Sequence, residues 1–195
     1  MDKANTIKLL PPQIKGGKPL MEALNERKTL REFSPQELSL QILSDMLWAA
    51  NGINRAQANG HTAPSAMNMQ EIEIYLALAG GLYLYDAKGN ILKQILCNDI
   101  REITGKQPFV KGAPVNLVFV AELKKMGEVS PVDTNFYAGI DTGFISQNIY
   151  LFCASQGLAT VARGYLDKSV LGAAMKLNDQ QRVILTQTVG YPKKD

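Results

Sequence analysis

Three cations and a hydroxyl crowd the run Arg27-Lys28-Thr29-Leu30-Arg31. An arginine pair, a hydroxyl and nearby amides can together satisfy the oxygens of a phosphate monoester. Taken alone, such a run describes a solvated charged turn equally well. A second stretch, 54–68, is rich in Ala, Asn, Pro and Ser and has no periodicity. It reads as loop or the first turn of a helix, a place for ligand contacts. Its one histidine, His61, precedes Pro64-Ser65 and is the only histidine of the chain; a lone loop histidine reads first as a surface residue.

The missing motifs narrow the chemistry. There is no serine in a nucleophile elbow, no HExxH, no CxxC and no P-loop, so hydrolase and metalloenzyme readings lack support. An enzyme without these groups needs a cofactor to carry its reactive chemistry. Cys97 and Cys153 stand far apart without metal-ligand spacing, and two cysteines are not a disulfide scaffold. A net charge of +3 with one basic cluster does not make the stripe that nucleic-acid binding wants.

The 195 residues, 46% hydrophobic and 20% charged, are expected to form one domain over 19–195 preceded by an arm, 1–18, containing Pro11-Pro12 and Gly16-Gly17. No apolar run approaches the roughly 20 residues of a membrane span, and no signal-peptide core is visible. The reading is a soluble cytoplasmic protein; an upstream signal already removed would leave the periplasm open.

The elements that must position these residues follow from pattern. A short helix after Pro19 leads into the basic cluster, and Ser39 caps a second helix whose Leu40, Leu43, Leu47 and Ala50 share a face. Asn51-Gly52 offers it a left-handed stop. Segments 72–78, 82–85 and 91–92 form a meander, and a short helical piece covers 99–104. The unbroken apolar run 115–120 is a strand buried on both faces. The longest helix is expected over about 135–156, apolar on nearly every side, with Gly139 and Gly143 allowing close approach at a dimer interface or under a sheet. A strand over 157–161, a helix capped by Asp167 and reaching Leu177, and a strand over 182–189 complete an α+β order.

In this context the segment from Arg27 through Phe33 resembles the opening FMN-phosphate motif of the nitroreductase family, Thr29 keeping the hydroxyl of the usual serine. Thr62 through Gln70 resembles the family's Ala-Pro-Ser-x-x-Asn-x-Gln segment, and Asp141-Thr142-Gly143 with Gln147-Asn148 its dimer helix. The resemblance covers 19–192 and implies a three-layer α-β-α fold around a central mixed or antiparallel sheet, with the long helix at a homodimer interface. It implies FMN bound by Arg27, Lys28, Thr29 and Arg31 at the phosphate, and by Pro64, Ser65, Ala66 and Asn68 of the partner at the ring and ribityl chain. Arg163-Gly164 falls where main chain lies over the ring with an amide toward N5; glycine suits such an approach, though a turn glycine is the plain alternative. Segment 81–109 is similar to the branch with the thiazoline-oxidising enzymes, which puts Gln107 near the flavin.

The implied activity is ping-pong electron transfer from NAD(P)H through flavin N5 to a small organic acceptor such as a nitroaromatic or quinone. No side chain acts as nucleophile; Arg163, the Gly164 amide and Gln107 stabilise the reduced anionic ring. Dehydrogenation of azoline-type substrates and plain flavin storage are the alternatives. Many relatives carry a further basic phosphate ligand near the C-terminus, where this chain has Lys193-Lys194-Asp195. Either Lys193 substitutes, or Arg27 and Arg31 bear the phosphate alone.

Overall fold

The computed structural model describes residues 5–193. The strand run 115–120 takes the middle of the sheet for the reason its composition indicates. Strand β7 (Val115–Glu122) lies between β4 (Ile72–Leu78) and β9 (Gln181–Gly190), antiparallel to both. Leu117 and Phe119 join a core on one face, while Val118 and Val120 join a second core on the other. A period of two explains the unbroken apolar run, because each face is covered.

From β4 the meander runs outward through β5 (Gly81–Asp86) and β6 (Ile91–Leu96). Strand β1 (Thr6–Lys8), within the segment expected as an arm, pairs antiparallel with β6 and closes that edge. On the other side β9 is followed by β8 (Ala159–Arg163), giving seven strands in the order β1-β6-β5-β4-β7-β9-β8. Every pairing is antiparallel, which selects one of the two sheet types expected.

Helices α2 (Leu40–Asn51) and α3 (Pro131–Gln156) cover one face, burying Leu43, Met46, Leu47, Ile145 and Ile149 against Ile74, Leu76 and Phe119. On the opposite face Leu171 of α4 (Lys168–Ala174) and the following Met175 pack on Tyr75, Val118 and Val183. The short α1 (Leu20–Glu26) lies beside α3. Together the three layers realise the α-β-α arrangement.

Several local expectations need correction. Helix α3 begins at Pro131 rather than near 135, because the Ser130 hydroxyl accepts from the Asp133 amide and Pro131 takes the first helical position. Nor is it buried all round. Val132, Phe136, Ile140 and Phe144 are 79%, 60%, 37% and 44% exposed, so the side away from the sheet is apolar and open. Gly139 and Gly143 belong to that open side and not to a sheet contact, since a Cβ on either meets nothing within 4 Å.

Gly52 ends α2 in extended conformation, φ −74°, not left-handed; glycine is needed because a Cβ would lie 2.5 Å from Trp48 Cδ1. Gly157, φ +68°, is the left-handed stop, of α3. Helix α4 stops at Ala174, short of Leu177, and Lys176 turns left-handed at φ +59°. The aperiodic 54–68 stretch holds a small hairpin, β2 (Ile53–Arg55) with β3 (Gly60–His61), and a 3₁₀ turn at Ala66–Asn68. Among the described residues no helix is long and apolar enough to cross a membrane.

Candidate functional site

Helix α1 delivers its last amide, Arg27 N, to Ala23 O and then unwinds into the basic segment. The segment lies along the free edge of β8, where Leu30 N donates to Thr160 O at 3.1 Å. Its far end is tied to the chain's C-terminal stretch: Ser34 N donates to Tyr191 O, Lys193 N donates to Glu32 O, and Phe33 bridges Pro192. Lys193 is therefore held beside the basic segment, its side chain exposed.

The Arg27 guanidinium sits 5.5 Å from the centroid of the Tyr150 ring, while Lys28 and Arg31 are exposed. Among the described residues none of these three cations forms an ion pair, although carboxylates pair six times elsewhere. Like charges this close in sequence repel and are relieved by an anion. The cluster thus has a charge and an exposure that fit a phosphate.

Beside it, the segment from Thr104 to Phe109 meets the end of β8. Lys106 N donates to Tyr165 O, and the Phe33 and Phe109 rings meet tilted, their centroids 5.4 Å apart. Arg163 turns its side chain inward, under this loop. Its Nη1 donates to Thr104 O at 2.8 Å and its Nη2 to Asn116 Oδ1 at 3.0 Å. Asn116 is fixed in turn, accepting from Thr188 Oγ1 and donating to Val110 O. No carboxylate joins this buried network, and burial pushes the guanidinium down to about 10, still charged at neutral pH. Arg163 Nε and Gln107 Oε1 are buried without a hydrogen-bond partner. Gly164 is exposed, and a Cβ there would meet nothing within 4 Å, so the main chain presents an open surface. These features fit a flat polar ring: a bare backbone, polar atoms lacking partners and a buried positive charge.

The third segment lies elsewhere in the chain. Ala66 N donates to Asp141 Oδ2 on α3 at 2.9 Å, and Ser65 Oγ accepts from Gln70 N. Met67, Asn68 and Gln70 all have φ near +50°, which strains a non-glycine backbone, Met67 most. Asp141 stands nine residues before Tyr150 on α3, roughly 13 Å along the axis. Pro64, Ser65, Ala66 and Asn68 are thus gathered on one side of the helix's length, and the other candidates toward its end. One chain does not bring them together.

Beneath this third segment lies a feature that the sequence reading missed. Glu71 is fully buried, with both carboxyl oxygens unpartnered, and Asp141 Oδ1 is buried and unpartnered as well. Burial first, and the negative charge of Asp141 second, push the Glu71 carboxyl up to about 7. A proton shared between the two carboxyls would partner both. The available signal was Asp141, an acid in the middle of a helix expected to be apolar on nearly every side.

A profile of the nitroreductase family matches residues 24–191, most of the chain. The chain belongs to the nitroreductase family. Among solved nitroreductase-family structures, one from Ralstonia eutropha JMP134 is 42% identical, with a TM-score of 0.93 over 97% of this chain and 90% of that one. A Methanocaldococcus jannaschii protein, called a nitroreductase by likeness, is 27% identical across 93% of this chain and 96% of its own length. The NADPH:FMN oxidoreductase of Vibrio harveyi, solved with NAD+, shares the fold at 18% identity, with a TM-score of 0.65 over 90% of this chain and 69% of that one.

Proposed function

We propose that this nitroreductase-family chain is an FMN-dependent NAD(P)H oxidoreductase that works as a homodimer with the flavin at the subunit interface. The carrying observation is the trio Arg27, Lys28 and Arg31, unpaired and strapped beside the open main chain at Gly164. When bound, FMN supplies the redox chemistry, accepting electrons from NAD(P)H and returning them to a small organic acceptor in separate half-reactions.

Each segment has a part in this reading. Arg27 and Arg31 hold the phosphate, aided by Lys28, the Thr29 hydroxyl and Lys193. The bare backbone at Gly164 lies against the ring, and Gln107 Oε1 gains a partner at its polar edge. Arg163 acts from below as a fixed positive charge that favours an electron-rich ring, without leaving its own hydrogen bonds. Pro64, Ser65, Ala66 and Asn68 come from the second subunit, which accounts for their distance from the phosphate cluster along α3. The apolar stripe Val132, Phe136, Ile140 and Phe144, with Gly139 and Gly143 beside it, is the surface through which that subunit docks.

The absorbance spectrum of the purified protein tests this. A flavin spectrum that bleaches on NADH or NADPH and returns on adding a nitroaromatic or quinone is the expected result. Absence of bound or bindable flavin defeats the reading, and flavin that no nicotinamide reduces leaves a storage protein instead.

A further inference from the structure

On the free edge of β8 one carbonyl and one amide are engaged by the segments beside it. Thr160 O is taken by Leu30 N, and Ala162 N donates to the Tyr150 hydroxyl at 3.0 Å. That hydroxyl also lies 3.1 Å from Thr29 Oγ1. A phenol has a single proton. Ala162 N–H occupies one lone pair of the phenol oxygen, the Tyr150–Thr29 bond can run either way, and an anion accepting from Thr29 selects the direction in which Tyr150 donates. The Thr29 hydroxyl, having received that bond, keeps its own proton for a third group. With an anion beside Thr29 the bonds run in one direction: from the β8 amide to Tyr150, from Tyr150 to Thr29, and from Thr29 outward.

The same ring carries the Arg27 guanidinium over its face. Tyr150 is half-buried and projects from the C-terminal half of α3, between the β8 edge and the basic segment. Its ring and its hydroxyl thus reach two different members of the cationic cluster.

We propose that Tyr150 is the positioning residue of the anion site, orienting the Thr29 hydroxyl as a donor to a phosphate monoester and holding Arg27 beside it. The ligand class and the direction of the Tyr150–Thr29 bond rest on the FMN reading above; the contacts of Tyr150 with Ala162, Thr29 and Arg27 do not. Tyr150 touches no reacting atom, and its effect is confined to the phosphate end of the ligand.

Tyr150→Phe keeps the ring under Arg27 and removes only the hydroxyl. Thr29→Val removes the terminal donor but leaves the Tyr150–Ala162 bond intact. Fluorescence titration of apoprotein with FMN and, separately, with riboflavin compares ligands that differ by the phosphate. Each variant is expected to weaken FMN binding about 10-fold, the loss of one charge-assisted hydrogen bond. Riboflavin affinity should move less than about twofold, and the double variant should lose no more than either single one, since the hydroxyls act in series. Thr29→Ser restores FMN affinity.

Unchanged FMN affinity in Tyr150→Phe overturns the assignment while leaving the flavin reading intact. Equal losses for FMN and riboflavin overturn it too, because a general structural role then explains them. Wild-type protein that binds neither ligand overturns the flavin reading and this assignment together.

Discussion

Replacing Glu71 by glutamine isolates the buried carboxyl pair. In the wild type the folded chain holds the Glu71 proton up to about pH 7, whereas the unfolded chain releases it near the ordinary 4.5. Between these values the folded state binds more protons, so stability must fall as pH rises. The contribution is intact below about pH 4.5 and gone above about 7. A shift of this size corresponds to about 3 kcal/mol. The charged groups that set it are Asp141 on α3, which raises it, and Lys125, which opposes it. Glutamine does not titrate, and its amide can donate to Asp141 Oδ1, so the variant escapes the penalty. Thermal melts of both proteins from pH 5 to pH 8 should show the variant gaining on the wild type by about 5–10 °C across that range, given about 2–4 °C per kcal/mol for a chain of this length. A gap that stays constant with pH, or shrinks, would show that Glu71 is ionised when folded, and would refute the shared proton.

Further perturbations address the other parts. Arg27→Ala with Arg31→Ala should cost at least 100-fold in FMN affinity at low salt, read by titration of apoprotein, while the far-ultraviolet circular dichroism stays unchanged. Phe136→Glu places a charge amid the exposed α3 stripe; sedimentation velocity should report monomer, and bound flavin measured after gel filtration should fall with it. Gly105→Ala drives a Cβ to 1.8 Å from Arg163 Nη1, and the guanidinium is held there by Nη1 to Thr104 O and Nη2 to Asn116 Oδ1. The expected loss is about 2–4 kcal/mol in denaturant unfolding, and an unchanged midpoint would mean that the buried network yields.

Elements dictated by local rules were legible in the sequence. The β4–β6 meander follows from alternation, α2 starts where Ser39 caps it, and β7 takes the centre because its apolar run serves two faces. The basic segment and the 64–70 segment were legible as motifs because their residues are neighbours in the chain. What escaped depends on approach between distant segments. Three residues of β1 carry too little pattern to mark a strand. The reason for glycine at 52 is a Trp48 ring four residues back, and not a dihedral. Glu71 and Asp141 are seventy residues apart, and nothing in the chain near either one announces that the fold buries Glu71 and Asp141 Oδ1 together. Arg163 was expected as a cation beside a flat ligand; that its side chain turns under the 104–107 loop is decided by Asn116 on β7, beyond β9 in the sheet. Tyr150 belongs to no motif, and only the fold brings it to Thr29.

The 26-residue rod of α3 holds the Pro64–Asn68 segment at Asp141 and the basic segment at Tyr150. Between these two anchors the helix tolerates exchange of side chains far better than change of length. Inserting one residue turns everything after it by about 100° and advances it about 1.5 Å. Tyr150 would leave the β8 edge and its contact with Thr29. Substitutions in this interval can accumulate singly, whereas insertions and deletions must be absent from it, even where its surface is otherwise free to vary.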